Sequence, residues 1–142
     1  MYSSPVLQSY LHDLEVAHMK GQNLITFKYG YMMAYTHPDE FLNIQDKLPP
    51  ISTVKQSLVT VIMTLYMKWE LDIQREIPGF DTNHRPIEAI NNSQTHTSVE
   101  TYMTGELQSY SEVTLENILA HFLQCSKNGI NPVKGYLNAL HS

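Results

Sequence analysis

The sequence predicts an all-α fold: one domain, a bundle of about six or seven helices around one long central helix. Three observations carry this. Apolar residues recur at three- and four-residue spacing, most regularly from Val54 to Ile77. Turn residues stand between the periodic runs, at Gly21, Pro49–Pro50, Pro78–Gly79 and Gly129. The chain has 142 residues, 42% of them apolar and 16% charged. That is enough for one core spanning 1–142 and too few for two comfortable ones.

The first helix reads from "SSPVLQSYLHDLEVAHMKG", with Ser4 as N-cap and Pro5 at the first helical position. Leu7, Leu11 and Leu14, then His18 or Met19, repeat at helical spacing. Gly21 supplies the left-handed residue that ends the helix. Asn23 caps "LITFKYGYMMAYT", whose Leu24, Phe27, Tyr31 and Tyr35 share a stripe. Pro38 starts a short helix with Phe41, Ile44 and Leu48 inward, and Pro49–Pro50 stops it. From Ser52 to about Ile77 runs the longest helix, on Val54, Leu58, Val61, Ile62, Leu65, Trp69, Ile73 and Ile77. Its β-branched run "VTVIMT" has strand propensity, but the unbroken helical period outweighs it.

The stretch from Gly79 to about Thr97 is irregular and polar, a length at which loops tend to be functional or disordered. Thr97 and Glu100 match a T-x-x-E capping box, opening a helix over about 98–109. Ser111 opens the next, with Leu115, Ile118, Leu119 and Phe122 inward and Gly129 as its end. Asn131 and Pro132 launch a last helix. "KGQN" and "NGIN" share one grammar: Gly ends a helix and Asn caps the following one. "LQSY" also occurs twice, at 7 and 107, but at different points relative to those turns, which argues against an internal repeat.

The net charge of −5 and the lack of any Lys/Arg cluster argue against nucleic acid. "LVTVIMTLYM" is too short for a membrane span. "MYSSPVLQSY" has neither the basic nor the apolar part of a signal peptide. Cys125 is the single cysteine, which suits a reducing, cytoplasmic setting. Glu15 and His18 form one Glu-x-x-His pair without the second copy a di-iron bundle needs, and the seven histidines match no zinc spacing. No metal or cofactor is therefore expected. There is no nucleophile elbow and no glycine-rich phosphate loop. Cys125 lies three residues after Phe122, a core position.

The candidate chemistry sits in two places. In "DTNHRP", His84 can shuttle a proton and Arg85 can clamp an anion. On the helix beyond, Tyr102, Glu106 and Tyr110 form a stripe beside the core positions Met103 and Leu107. A buried Glu106 between tyrosines could perform acid–base work. Gly105 within that helix implies close approach by another backbone or by a ligand. "FKYGYMMAY" has the same character, so Tyr29 and Tyr102 are expected to face each other across a pocket. The candidate catalytic residues are thus Glu106, Tyr102 and His84. Arg85, Tyr29, Tyr35 and Tyr110 are the candidate substrate contacts, with loop 79–97 as a lid.

Four blocks, "YLHDLEVAHMKGQNLITFKYGYMMAYTHPDEF", "LPPIS", "RPIEAI" and "TSVETYMTGELQSYSEVTLE", resemble a bacterial domain-of-unknown-function family, DUF4125. The resemblance runs from about Tyr10 to Leu119 and implies a fold but no reaction. It also implies an acidic residue where Phe27 stands and arginines where Tyr31, Glu88 and Thr104 stand, while Arg85, Tyr102 and Glu106 fit. The resemblance further implies an additional N-terminal segment in typical members, which is expected to be absent here. Fewer charges point to a weakly charged ligand, a changed activity or a noncatalytic paralogue.

Two functions follow as expectations. One is a small cofactor-free enzyme or ligand-binding protein acting on a weakly charged small molecule by acid–base chemistry, in specialised metabolism. The other is a noncatalytic helical interaction module, a homodimer, supported by the Tyr- and Met-rich "YGYMMAY".

Overall fold

In a computed structural model, residues 3–76 and 98–134 are described. They form an all-α bundle with no strand among them: α1 (Ser4–Met19), α2 (Leu24–Thr36), α3 (Pro38–Ile44), a 3₁₀ turn (Gln45–Lys47), α4 (Thr53–Glu76), α5 (Val99–Gln108) and α6 (Glu112–Lys127). The expectations placed on Ile77, on His84, Arg85 and Glu88, on Thr97 and on the chain beyond 134 lie outside the described residues.

Local chemistry sets the boundaries. Gly21 and Gly129 both have φ of 68°. At each, a backbone N–H one residue further on reaches back across the helix end, Gln22 to the Ala17 carbonyl (2.8 Å) and Ile130 to that of Cys125 (2.9 Å). These are two Schellman ends, and the shared "KGQN"/"NGIN" grammar is shared geometry. Asn23 Oδ1 then accepts from the Ile25 and Thr26 amides, and Asn131 Oδ1 from those of Val133 and Lys134. Ser52 and Ser111 cap α4 and α6 in the same way.

Two caps sit one residue away from their expected place. Ser3, not Ser4, precedes α1, and it makes no side-chain cap. At α5 the cap is Ser98, whose Oγ accepts from the Thr101 amide at 3.0 Å. Thr101 therefore holds the box position, and Glu100 falls one residue short of it. Its charge still lies in the first turn, where a carboxylate complements the helix dipole.

The core belongs to α4, α5 and α6. Val59, Ile62, Met63, Tyr66, Trp69 and Ile73 of α4 meet Leu115, Ile118 and Phe122 of α6, with Met103 and Leu107 of α5 closing the cluster. Trp69 and Phe122 pack edge to face, centroids 5.1 Å apart. Each fully buried aliphatic or phenyl side chain contributes about 1.5–3 kcal/mol relative to exposure. Val54 and Val61, on the expected α4 stripe, are exposed instead, because the helix buries the face one step round, through Val59, Ile62 and Met63.

α1 departs most from its sequence pattern. Its leucine stripe points outward: Leu7 and Leu11 are 55% exposed and Leu14 38%. The inward face carries Val6 and Ala17, and polar bonds fix it to α6. Asp13 Oδ2 accepts from the Ser111 amide (2.9 Å) and the Thr114 hydroxyl (2.7 Å). Asn117 Nδ2 donates to Ser9 Oγ and to the Pro5 carbonyl. A carboxylate against the first turn of α6 is placed where both the free amides and the dipole favour it.

Candidate functional site

Two constellations of polar side chains result. The first is the seam between α2 and α5, which pack closely together. Gly105 makes this possible. A Cβ there would lie 2.5 Å from Met32 Cγ and 2.9 Å from the Lys28 carbonyl oxygen, so the backbones meet where a side chain would stand. Gly105 therefore serves a neighbouring helix rather than a ligand. Gly30 faces Leu48 instead. Lys28, which precedes Tyr29 in the chain, lies buried in this seam. Its Nζ is 3.4 Å from the centroid of the Tyr102 ring and 3.9 Å from Glu106 Oε1. Tyr29 adds its ring at 5.7 Å. Tyr29 and Tyr102 thus converge on one ammonium, with a lysine between them in place of a pocket.

A desolvated cation over an aromatic face is worth about 2 kcal/mol. Glu106 is a partner of that cation, and its charge also reaches Tyr10. Burial first, then Glu106 and Asp13, push the Tyr10 hydroxyl above its ordinary range. Tyr110 is buried, and its ring packs edge to face on Tyr10 at 5.0 Å. Tyr35 is half exposed and stands apart from the seam, lining a shallow groove of about 630 Å³ with Gln56, Glu100 and Thr104. His84 and Arg85 lie outside the described residues. Cys125 is buried, and burial raises its thiol, in keeping with a core position. No group of three or more His, Cys, Asp or Glu able to hold a metal occurs among the described residues.

The second constellation is a cleft of about 690 Å³ between α1, α2 and the α5–α6 turn, with Lys55 of α4 at its edge. Val16, Leu24 and Phe27 give it apolar walls. Tyr31 forms another side, its hydroxyl donating to the Pro49 carbonyl at 2.6 Å, which draws the Pro-Pro turn against α2. Burial raises the Tyr31 hydroxyl, so it remains a donor committed to that carbonyl. Asp13 reaches the cleft with one oxygen engaged by α6. Burial pulls the Lys55 ammonium below the ordinary lysine range, against the opposing pull of Asp13 and Glu112. Gln108, the last residue of α5, is 7% exposed, and its Oε1 is buried without a hydrogen-bond partner among the described residues.

Of the candidate catalytic and substrate-contact residues within the described part of the chain, Tyr110 lines the cleft. Tyr102, Glu106 and Tyr29 gather at the seam, and Tyr35 is elsewhere. Asp13, Lys55 and Gln108 were not legible as site residues. A signal did exist for Gln108: both copies of "LQSY" reach the cleft, through Gln8 and Ser9 from α1 and Gln108, Ser109 and Tyr110 from α5.

Fold and cleft together define a small all-helical bundle whose described residues include a side-opening cleft with both apolar and polar walls. The chain belongs to DUF4125, a family of proteins of unknown function, whose model matches residues 1–142. Comparison with curated proteins finds no match, and comparison with solved structures finds none either.

Proposed function

We propose that this protein binds a small, weakly charged molecule in the cleft between α1, α2 and the α5–α6 turn. The observation that carries the reading is Gln108, a cleft residue whose carboxamide oxygen is buried without a donor among the described residues. An unpaired buried acceptor costs about 1–3 kcal/mol, a cost that a bound N–H or O–H would remove. The dimensions suit a small ligand. Phe27 and Tyr31, where the family resemblance led us to expect charge, are uncharged walls of this cleft, which favours a weakly charged occupant.

Binding is favoured over acid–base catalysis at Glu106, because Glu106 is a partner of Lys28 in a helix seam and does not line the cleft. A cytoplasmic protein of specialised metabolism is the setting we infer. The single cysteine is buried and free, and no helix among the described residues is long and apolar enough to cross a membrane. The test is a titration of the ¹⁵N-labelled chain with a set of small, net-neutral molecules bearing hydroxyl or amide groups. Amide shifts should cluster at residues 8–13 and 108–111. Shifts confined to other surfaces, or none, would overturn the reading.

A second reading rests on a separate observation. Leu7, Leu11 and Leu14 form a continuous exposed stripe on α1. A second copy covering it would make the protein a homodimeric interaction module. Light scattering of the purified chain tests this: a dimer that Leu11→Asp converts to monomer supports it, and a monomer at all concentrations rejects it.

A further inference from the structure

The ligand itself can be specified further, an inference that rests on the small-molecule reading above. Two cleft side chains come from different helices and lack a direct complementary contact among the described residues. Lys55, in the first turn of α4, makes no ion pair or hydrogen bond through its ammonium among the described residues. Asp13 and Glu112 lend it negative charge from nearby, but neither is within ion-pair distance, and each holds a hydrogen-bond donor of its own. Asp13 Oδ2 accepts from Ser111 and Thr114, and Glu112 Oε1 accepts from the Ser52 hydroxyl at 2.6 Å. A half-buried ammonium left in this way calls for an anionic group. Gln108 Oε1 has the opposite need, for a donor. Asp13 Oδ1, without a hydrogen bond among the described residues, adds a second acceptor to the same cleft.

We propose that the cleft takes a zwitterion with an apolar side chain: a carboxylate on Lys55 Nζ, an ammonium on Gln108 Oε1 and Asp13, and hydrocarbon against Val16, Leu24 and Phe27. A multiply charged anion such as a phosphate ester fits poorly. Lys55 is the single Lys or Arg lining the cleft among the described residues, and the charges of Asp13 and Glu112 act against a second negative charge. A simple apolar ligand fits poorly too, since it would leave both the ammonium and the carboxamide oxygen unpaired.

The experiment is calorimetric titration of the full chain with L-phenylalanine, phenylpropanoate, which lacks the ammonium, and phenethylamine, which lacks the carboxylate. Phenylalanine should bind about tenfold or more tightly than either, since each analogue leaves one buried polar group unmatched. Lys55→Met should abolish the preference over phenethylamine, and Lys55→Arg should retain it. Gln108→Leu should reduce the preference over phenylpropanoate. Circular dichroism of each variant establishes that it is folded. Equal binding of all three compounds, or unchanged selectivity in Lys55→Met, overturns the zwitterion while cleft binding stands. Failure of all three, with net-neutral molecules still shifting the cleft amides, has the same meaning. Failure of every compound in both experiments overturns both.

Discussion

The tetrapeptide Leu-Gln-Ser-Tyr occurs at 7–10 in α1 and at 107–110 where α5 ends, and the two copies meet opposite fates. Leu7 is 55% exposed and Leu107 fully buried. Gln8 lies exposed at the cleft, while Gln108 is buried with its carboxamide oxygen unpaired among the described residues. Ser9 turns its hydroxyl onto the Pro5 and Val6 carbonyls of its own helix, and Ser109 turns onto that of Glu106. The two tyrosines alone converge, ring edge to ring face. Identical side chains thus supply a solvent face in one helix and a core anchor and a buried cleft residue in the other. Composition cannot be responsible, so the difference is one of position relative to α4 and α6.

Substitutions can break this comparison. The largest difference is expected at the leucines. Leu107→Ala should cost about 2–5 kcal/mol by creating a cavity beside the core. Leu7→Ala should stay within about 0.5 kcal/mol. Urea denaturation measures both, and equal losses would show that the two copies are not inequivalent in this way. Next comes Gly105→Ala, which drives a methyl into Met32 and the Lys28 carbonyl and should cost about 1–3 kcal/mol. A neutral result would show that α2 and α5 are not in close contact.

The glutamines sharpen the contrast. Gln108→Leu removes a buried unpaired acceptor and should raise stability by about 1 kcal/mol, while Gln8→Leu leaves it unchanged. A destabilised Gln108→Leu would reveal a partner for the carboxamide and undercut the candidate site. A double-mutant cycle through Tyr10→Leu and Tyr110→Leu should return a coupling of about 0.5–1.5 kcal/mol.

The smallest effect is alkaline. The Tyr10 hydroxyl is raised in the folded state, so between pH 10 and that raised value the unfolded chain loses its proton first. The folded state then holds more protons, and stability falls as pH climbs through this window. Tyr10→Phe should flatten that part of the pH–stability curve and leave it unchanged below pH 9. An identical slope in the variant would remove Tyr10 from the account.

The candidate site was legible only in part. Tyr102, Glu106 and Gly105 stood out because hydroxyls, a carboxylate and a glycine on one helix suggest chemistry. Folding uses all three to join α2 to α5, and Lys28 supplies the missing charge. Of the residues proposed to meet the ligand, Lys55 has nothing unusual around it in sequence, and Gln108 is marked by the second copy of "LQSY" alone. Their significance depends on which groups fail to reach them.

What the sequence determined by itself was the set of helices and their ends. Gly21 and Gly129 take a positive φ that other residues avoid, and Asn23, Ser52, Ser111 and Asn131 hold caps within a few residues of themselves. Those interactions are local, so nearby letters suffice to specify them. The tertiary structure alone decided which stripe of each helix turned inward. Leu7, Leu11 and Leu14 repeat as well as any core leucines, yet α1 is held to α6 through Asp13, Ser9 and Asn117 and turns them to solvent. Periodicity fixes the spacing of a stripe, whereas its burial depends on the surface it meets, and that surface comes from residues a hundred positions away.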